Sequence, residues 1–346
     1  MKLLIRATNW VGDAIMALPA LRAVRKRFPE AEIAILALPY VADIYRGQGI
    51  ADQLISHDRK GEHAGFRGRE KLAAELRAKK FSTALLLQNA FDAAWIAWRA
   101  GIPERIGYNR DGRGLLLTKA IRTPRSGEIP AHEKFYYLEL LKRAGWIDTI
   151  PDIREISLLV TGEQSRRAEE KLQSFGSKCG AVRIAVGAGA AYGSAKCWPP
   201  ERFAAAINQL LKVRGAEVIL FGTSSEIAVA AAIQAGLAQA ALDLSGKTEI
   251  VELPALLSRC TAFVGNDSGA MHVAAAVGLP VVAVFGPTDP HGTAPVTPRC
   301  SIVQEKPYCS PCFLRRCPTD HRCMTVIAPE RVSTGVLEAL AEVAAG

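Results

Sequence analysis

The residues best suited to chemistry lie in a short turn, residues 265–269 (Gly-Asn-Asp-Ser-Gly), and in the helix predicted after it. The first N–H groups of a helix lack intrahelical partners, so with the helix dipole the turn at Ser268 and Gly269 suits a phosphate. Asp267 can cap this helix or accept sugar hydroxyls, and His272 can carry a proton or contact a phosphate oxygen. A capped helix with a satisfied histidine is the plain alternative, and spacing alone does not decide between the two.

Two further polar residues follow predicted strands in the same half of the chain. Lys196 ends a glycine-rich loop, residues 187–196, whose spacing matches neither a P-loop nor a dinucleotide fingerprint. A lysine on a flexible loop after a strand suits a diphosphate, although a surface charge beside a turn fits equally well. Glu226 follows the next predicted strand and can cap a helix or accept ribose hydroxyls.

A third carboxylate lies near the amino terminus. Asp13 stands in the turn after the first predicted strand, residues 2–7. At the carboxyl end of a parallel strand, a carboxylate can act as a general base. It can also cap the helix predicted to begin at Ala14, so position alone leaves both roles open.

Strands alternate with helices along the whole chain, which predicts an α/β fold with parallel sheets covered on both faces. The pattern restarts after residues 151–159, and 346 residues exceed the usual size of a single core. We therefore predict two doubly wound, Rossmann-like domains, residues 1–160 and 161–328, that face each other across a cleft. The last helix, within residues 329–346, is long enough to cross back to the first domain.

The net charge of +9 is concentrated in the first half of the chain. Residues 1–160 contain 26 Lys and Arg against 18 Asp and Glu. This excess predicts an anionic partner, which could be nucleic acid, a phosphorylated glycolipid or a membrane surface. Aromatic residues are few and not interleaved with the basic ones in sequence, which disfavours nucleic acid. No apolar run approaches the roughly 20 residues of a membrane helix, so we expect a cytoplasmic protein without a transmembrane segment.

Four cysteines near the carboxyl terminus form a cluster. Cys309, Cys312, Cys317 and Cys323 have the spacing Cys-X2-Cys-X4-Cys-X5-Cys, with His321 inside. Such density is typical of a zinc knuckle, a pair of disulfides or an iron–sulfur site. A cytoplasmic location disfavours stable disulfides, and the short spacings do not match paired zinc knuckles. The cluster is a candidate metal site only, and no metal is predicted for the chemistry.

Four motifs together resemble one enzyme family. They are residues 9–14 (NWVGDA), 192–199 (YGSAKCWP), 265–272 (GNDSGAMH) and 285–288 (FGPT). The chain resembles the ADP-heptose heptosyltransferases, glycosyltransferase family 9, which build the lipopolysaccharide inner core. The resemblance spans nearly the whole chain, and the branch that adds the second heptose, including its cysteine cluster, is the most similar.

The resemblance implies a GT-B fold and an inverting, metal-independent transfer of heptose without a cofactor. Asp13 would be the base, and ADP-L-glycero-β-D-manno-heptose would bind in the C-terminal domain. The implied donor-binding residues are Lys196, Glu226, Asp267, Ser268, Gly269 and His272, of which Glu226 matches only approximately.

The implied acceptor is a phosphorylated lipid A–core glycolipid, heptosyl-Kdo2-lipid A, at the cytoplasmic face of the inner membrane, with no nucleic acid partner. Six basic residues of the N-terminal domain are candidates to bind it: Arg59, Lys60, Arg67, Arg69, Arg110 and Arg113. The alternatives are an enzyme that adds the first heptose, another nucleotide-sugar transferase of the same fold, and a non-enzymatic regulator that binds nucleotides or nucleic acid.

Overall fold

The chain forms two compact units, each built on a parallel β-sheet. The computed structural model of the protein describes residues 1–213 and 215–345. The first unit is Met1–Ile153, and the second begins at Arg154. The predicted α/β class is confirmed. None of the helices in these two described ranges is both long and apolar enough to cross a membrane.

The first unit contains a sheet of six parallel strands. These are β1 (Lys2–Arg6), β2 (Glu32–Ala37), β3 (Gln53–Ser56), β4 (Thr83–Leu86), β5 (Glu104–Tyr108) and β6 (Lys119–Ile121). Their order across the sheet is β3-β2-β1-β4-β5-β6. The helices are α1 (Val11–Arg27), α2 (Pro39–Tyr45), α3 (Gly65–Ala78), α4 (Phe91–Arg99) and α5 (Glu133–Arg143). Central strands are buried on both faces, which explains why they read as continuous apolar runs.

The second unit repeats this plan. Its strands are β7 (Val182–Gly187), β8 (Ala216–Phe221), β9 (Leu242–Asp243), β10 (Ala262–Asn266), β11 (Val281–Phe285) and β12 (Cys300–Gln304), in the order β12-β11-β10-β7-β8-β9. Its helices are α6 (Gly162–Ser174), α7 (Pro200–Leu210), α8 (Ile227–Ala235), α9 (Leu253–Leu257), α10 (Gly269–Ala276), α11 (Pro290–Thr293), α12 (Arg322–Thr325) and α13 (Pro329–Ala345). One apolar core joins α7, α13 and the sheet, with the fully buried Trp198 stacked edge-on against Phe203.

The boundary between the units lies a few residues before the predicted one at residue 160. The N–H groups of Ile156 and Leu158 donate to the carbonyl oxygens of Val296 and Ala276 at 3.0 and 2.7 Å, and both side chains are buried. These contacts attach residues 154–160 to the second unit. The boundary still falls within residues 151–159, the linker expected from the sequence.

The principal packing of helix α13 is within the second unit. The helix packs against α7, β10, β11 and β12. Val332 and Val336 are fully buried in the same core as Val282 and Val284. An apolar face of this kind fixes α13 to the second sheet. That its end crosses back to the first domain stays a prediction. Gly346 lies outside the described residues.

Candidate active site

The order in which the chain adds strands to the second sheet reverses between two neighbouring strands, β7 and β10. The chain runs outward from β7 to β8 and β9, then returns to add β10, β11 and β12 on the other side. Loops that follow the two central strands therefore diverge, and open α/β sheets bind ligands in the crevice left at this edge. Lys196 follows β7 and Asp267 follows β10, so the topology brings together two loops that the sequence analysis selects separately.

Lys196 and Asp267 form an ion pair in this crevice. The distance from Nζ to Oδ2 is 2.5 Å, and the side chains are 11% and 6% exposed. Thr288, in the loop after β11, donates its hydroxyl to the same carboxylate oxygen at 2.6 Å. An ammonium group has three N–H donors, so Lys196 can bind a phosphate oxygen while it remains paired with Asp267. Asp267 thus positions a cation at the ligand-binding edge.

Asn266 fixes the loop that carries Lys196, a role that the sequence analysis misses. Its side chain is completely buried; Nδ2 donates to the carbonyl oxygen of Ala188 at 2.6 Å, and Oδ1 accepts from the N–H of Trp198 at 3.0 Å. Both ends of the loop are therefore held by the last residue of β10. The only signal in the sequence is an asparagine at the end of an apolar strand, which also fits an ordinary turn.

The amino terminus of α10 opens at the same edge. Ser268 precedes the helix without a capping bond from its side chain, and its buried Oγ has no hydrogen-bond partner among the described residues. Gly269 is the first helical residue, and His272, one turn later, is buried. First-turn N–H groups, a buried hydroxyl and the adjacent Lys196 together form a site for an anion. This arrangement favours a ligand site over the merely capped helix that the sequence leaves open.

Glu226 lies against the glycine-rich loop. Oε2 accepts hydrogen bonds from the N–H and the hydroxyl of Thr223, at 2.7 and 3.0 Å. A Cβ atom at Gly189 would overlap the Glu226 carboxylate, so a larger residue there would displace that side chain. Beside them is a small, largely apolar recess lined by Val186, Ala188, Leu220, Phe221, Val229, Ala230, Ile233 and Ser245. Its volume of about 10 Å³ is that of a single water, so the recess itself has no room for a nucleoside.

The cysteine-rich segment, residues 309–323, contacts the lysine loop. Tyr192 donates its hydroxyl to the carbonyl oxygen of Phe313 at 2.7 Å, and the N–H of Ala195 donates to the carbonyl oxygen of Arg315 at 3.0 Å. Nε2 of His321 lies 2.7 Å from the carbonyl oxygen of Ala195. The segment therefore holds the turn that contains Lys196. No motif in the sequence indicates this contact.

Asp13 occupies the corresponding edge of the first sheet, in which the strand order reverses between β1 and β4. It is half-buried in the first turn of α1, near Tyr45 and Tyr137. Burial raises the pKa of both tyrosines, and the negative charge of Asp13 raises it further. The alternative that Asp13 is the N-cap of a helix from Ala14 is wrong, because α1 begins at Val11 and Trp10 holds the N-cap position. Asp13 lies in the first turn of α1, where its negative charge favours the helix dipole. A carboxylate among neutral phenols at this edge remains suited to general base chemistry.

Comparison with known proteins identifies the family. Residues 69–322 match the family described as glycosyltransferase family 9 (heptosyltransferase). The chain is 30% identical over 311 residues to lipopolysaccharide heptosyltransferase 2 of Escherichia coli K12, with 88% of each chain covered. The chain belongs to glycosyltransferase family 9, the heptosyltransferases. The enzyme of the same name from Salmonella typhimurium is 30% identical over 310 residues, also with 88% of each chain covered.

A solved structure supports the same assignment. E. coli ADP-heptose LPS heptosyltransferase II superposes with a TM-score of 0.83, at 27% identity and with 99% of each chain covered. The predicted GT-B fold is therefore confirmed, and this chain is a glycosyltransferase. Membership of the family disfavours a non-enzymatic regulator.

The candidate acceptor-binding residues of this heptosyltransferase do not form one uniform set. Arg59, Lys60, Arg67 and Arg110 are exposed, whereas Arg69 is partly covered and donates to Asp92 at 2.9 Å. These five residues keep their predicted role as a hypothesis.

Arg113 does not belong with these surface residues, because its side chain is completely buried. It donates to the carbonyl oxygens of Tyr108 and Gln88 and to Oδ1 of Asn89. Desolvation lowers the pKa of its guanidinium to about 10. Arg113 therefore joins β5 to the loop after β4, and an anionic acceptor at the surface cannot reach it.

A buried arginine that the sequence analysis misses lies at the end of β1. Arg6 donates to the carbonyl oxygens of Ala7 and Leu36 and to Oδ1 of Asn9, and its Nε has no partner among the described atoms. Burial first, and then the positive charge of Arg59, lower its pKa to about 10. Arg6 and Arg59 thus add positive charge to the edge of the sheet that carries Asp13.

The four clustered cysteines are all thiols in the structure. Burial, reinforced by the other three cysteines, raises the pKa of Cys323 to about 11. In the described parts of the chain, the only three potential ligands at metal-binding spacing are Glu62, His63 and Glu75, not the cysteines. A metal at the cysteines stays a prediction that elemental analysis of the purified protein would test.

Glu62, His63 and Glu75 do not fit a metal either. Nδ1 of His63 accepts a hydrogen bond from the N–H of Asp58 at 3.1 Å, which leaves the proton on Nε2. That Nε2 faces Oε2 of Glu75 at 3.3 Å, so the ring directs an N–H donor, not a lone pair, toward the carboxylate.

Proposed function

We propose that this enzyme transfers heptose from ADP-L-glycero-β-D-manno-heptose to the first heptose of the lipopolysaccharide inner core. The observation that carries the proposal is the Lys196–Asp267 ion pair beside the open amino terminus of α10, at the point where the strand order of the second sheet reverses. In this proposal Lys196, Ser268, Gly269 and the α10 dipole bind the diphosphate. The adenosine then extends to Glu226, and His272 and Asp267 line the sugar–phosphate region.

The reaction follows from these groups. Asp13 accepts the proton of the acceptor hydroxyl, whose oxygen attacks the anomeric carbon of the heptose. The bond from that carbon to the diphosphate oxygen breaks, and ADP leaves with the electron pair. Attack from the face opposite the leaving group inverts the configuration at this carbon. Lys196 and the N–H groups of α10 stabilise the negative charge that develops on the departing diphosphate.

The two units have different roles in the proposal. The charge excess of residues 1–160 supports an anionic glycolipid acceptor, phosphorylated lipid A–core, in the first unit. Both glycine-rich loops support the donor in the second. The enzyme would act in the cytoplasm, at the inner face of the inner membrane.

One assay tests the whole proposal. Release of ADP is measured with ADP-heptose and three acceptors, which carry zero, one or two heptoses. The proposal expects turnover with the one-heptose acceptor. Turnover only with the acceptor that lacks heptose would identify an enzyme that adds the first heptose instead. Absence of ADP release, together with salt-sensitive oligonucleotide binding, would favour a regulator.

A further inference from the structure

Four aromatic side chains form a band on the surface of the first unit. Phe91, Trp95 and Trp98 are spaced by four and three residues, so they share the outer face of α4. Phe66 of α3 joins them, with its ring 5.7 Å from that of Trp95. Phe66, Phe91 and Trp98 are 63%, 49% and 47% exposed, which is unusual for three large rings on adjacent helices. We call these four residues the aromatic band.

Cations border the aromatic band. Arg69 places its guanidinium carbon 5.9 Å from the ring of Trp95. Arg67 follows Phe66 in the chain and is exposed, and within the described ranges no carboxylate pairs with it. Arg59 and Lys60, in the loop before α3, are also exposed, and no carboxylate of the described residues pairs with them. The neighbouring acids are already paired, Asp92 with Arg69 and Glu70 with Arg99. The start of α3 therefore combines an exposed ring, Phe66, with the unpaired positive charge of Arg67.

The aromatic band lies near the edge of the first sheet that carries Asp13. Phe91 is the first residue of α4 and Phe66 the second of α3, so both lie near the carboxyl ends of the strands before them. Asp13 lies at the same edge of this sheet. A substrate with a lipid anchor would reach that edge most easily if the edge lay close to the bilayer.

We propose that the aromatic band and its cations dock the enzyme on a bilayer rich in anionic phospholipids. Aromatic rings partition into the headgroup region, and each Lys or Arg near an anionic surface adds about 1 kcal/mol of attraction. Charge complementarity favours this occupant over a second copy of the chain, because two such surfaces would bring unpaired cations together. The inference rests on the proposed glycolipid acceptor, but vesicle binding tests it separately.

The experiment is sedimentation of the purified full-length protein with phosphatidylcholine vesicles, with and without phosphatidylglycerol. The test variant is the triple substitution Phe66→Ser, Phe91→Ser and Trp98→Gln. The control is Val326→Ser, at a residue 56% exposed on the second unit. We expect wild type and control to bind the anionic vesicles alone, and the triple variant to bind at least about tenfold more weakly. Phe66→Ser alone, at the most exposed ring of the band, should show part of the loss.

Activity separates docking from folding. With a water-soluble, deacylated acceptor, the triple variant should match wild type; with the acylated acceptor embedded in vesicles, it should be slower by a factor similar to its loss of vesicle binding. Equal vesicle binding by variant and wild type would overturn the proposal. So would a wild-type dimer that the triple variant converts to a monomer, because the band would then be a self-association surface. If no acceptor is turned over, the vesicle result still decides the docking surface.

Discussion

Nε2 of His321 lies 2.7 Å from the carbonyl oxygen of Ala195, a residue 126 positions earlier in the chain. Ala195 precedes Lys196, and its N–H is bound by the carbonyl oxygen of Arg315 in the same cysteine-rich segment. Both backbone groups of Ala195 are therefore held from outside their own loop. The cysteine-rich segment therefore positions Lys196, independently of the chemistry of its thiols.

Removal of the Tyr192 hydroxyl should loosen this support. Tyr192→Phe keeps the ring between Lys196 and Arg315 but loses the bond to the carbonyl oxygen of Phe313. One neutral hydrogen bond contributes about 0.5–1.5 kcal/mol, so calorimetry should show ADP affinity reduced roughly 2- to 10-fold. Tyr308→Phe, at a ring 88% exposed, is the matched control. Identical ADP affinities for the two variants would show that the segment does not position the loop.

Lys196→Ala should weaken ADP binding more. A hydrogen bond to a charged group contributes about 1.5–3 kcal/mol, so the ADP Kd should rise roughly 10- to 150-fold. Lys178→Ala removes an exposed lysine at the opposite end of β7 and should leave the Kd unchanged. Unaltered ADP affinity in Lys196→Ala would exclude Lys196 from the diphosphate site.

Asp13→Asn tests the base. The amide keeps the size of the side chain but cannot accept a proton, so kcat should fall on the order of 10²-fold or more. Asp13 lies in the first turn of α1 but is not its N-cap, so loss of its charge should cost only about 0.3–1 kcal/mol and lower the melting temperature slightly. ADP affinity should be unchanged. Near-normal turnover in this variant would end the assignment.

Charge reversal should separate acceptor from donor. Arg59→Glu and Lys60→Glu should raise the acceptor KM and leave the donor KM alone, because they add repulsion toward an anionic glycolipid. Arg110→Glu tests the second exposed loop in the same way. Equal changes in both KM values would contradict separate binding of the two substrates.

Arg113→Met should behave differently from these surface variants. It leaves the carbonyl oxygens of Tyr108 and Gln88 and the amide oxygen of Asn89 without their donor. Each buried unsatisfied group costs about 1–3 kcal/mol, so the free energy of unfolding in urea should fall by about 3 kcal/mol or more. A stable Arg113→Met protein with a raised acceptor KM would return Arg113 to the acceptor site.

His57 should make stability depend on pH. Its side chain is buried, and desolvation followed by the charge of Arg6 lowers its pKa to about 4. An unfolded histidine titrates near pH 6.5, so between these values the unfolded chain binds more protons. The stabilisation is thus complete above pH 6.5 and is lost as pH falls toward 4. Urea unfolding of His57→Gln should show a weaker loss across this window than wild type; equal slopes would exclude His57.

Much of the fold follows from local sequence. The first strand, predicted at residues 2–7, and the last helix, predicted within residues 329–346, are found at Lys2–Arg6 and Pro329–Ala345, because both have a strong apolar pattern. Helix α1 begins at Val11, three residues before its predicted start at Ala14. The family resemblance is also readable from the sequence, because four motifs that are ambiguous one by one occur together in one chain.

What only tertiary structure decides is which polar groups meet. Sequence marks Lys196 and Asp267 as separate candidates, but their ion pair exists because β7 and β10 are neighbours in the second sheet. It also groups Arg113 with exposed arginines, since composition cannot show that a side chain folds inward to bond three acceptors. Asn266, Thr288, His321 and the aromatic band depend on partners 20 to more than 100 residues away. Local patterns determine the elements, whereas burial and pairing between distant elements determine the chemistry of each side chain.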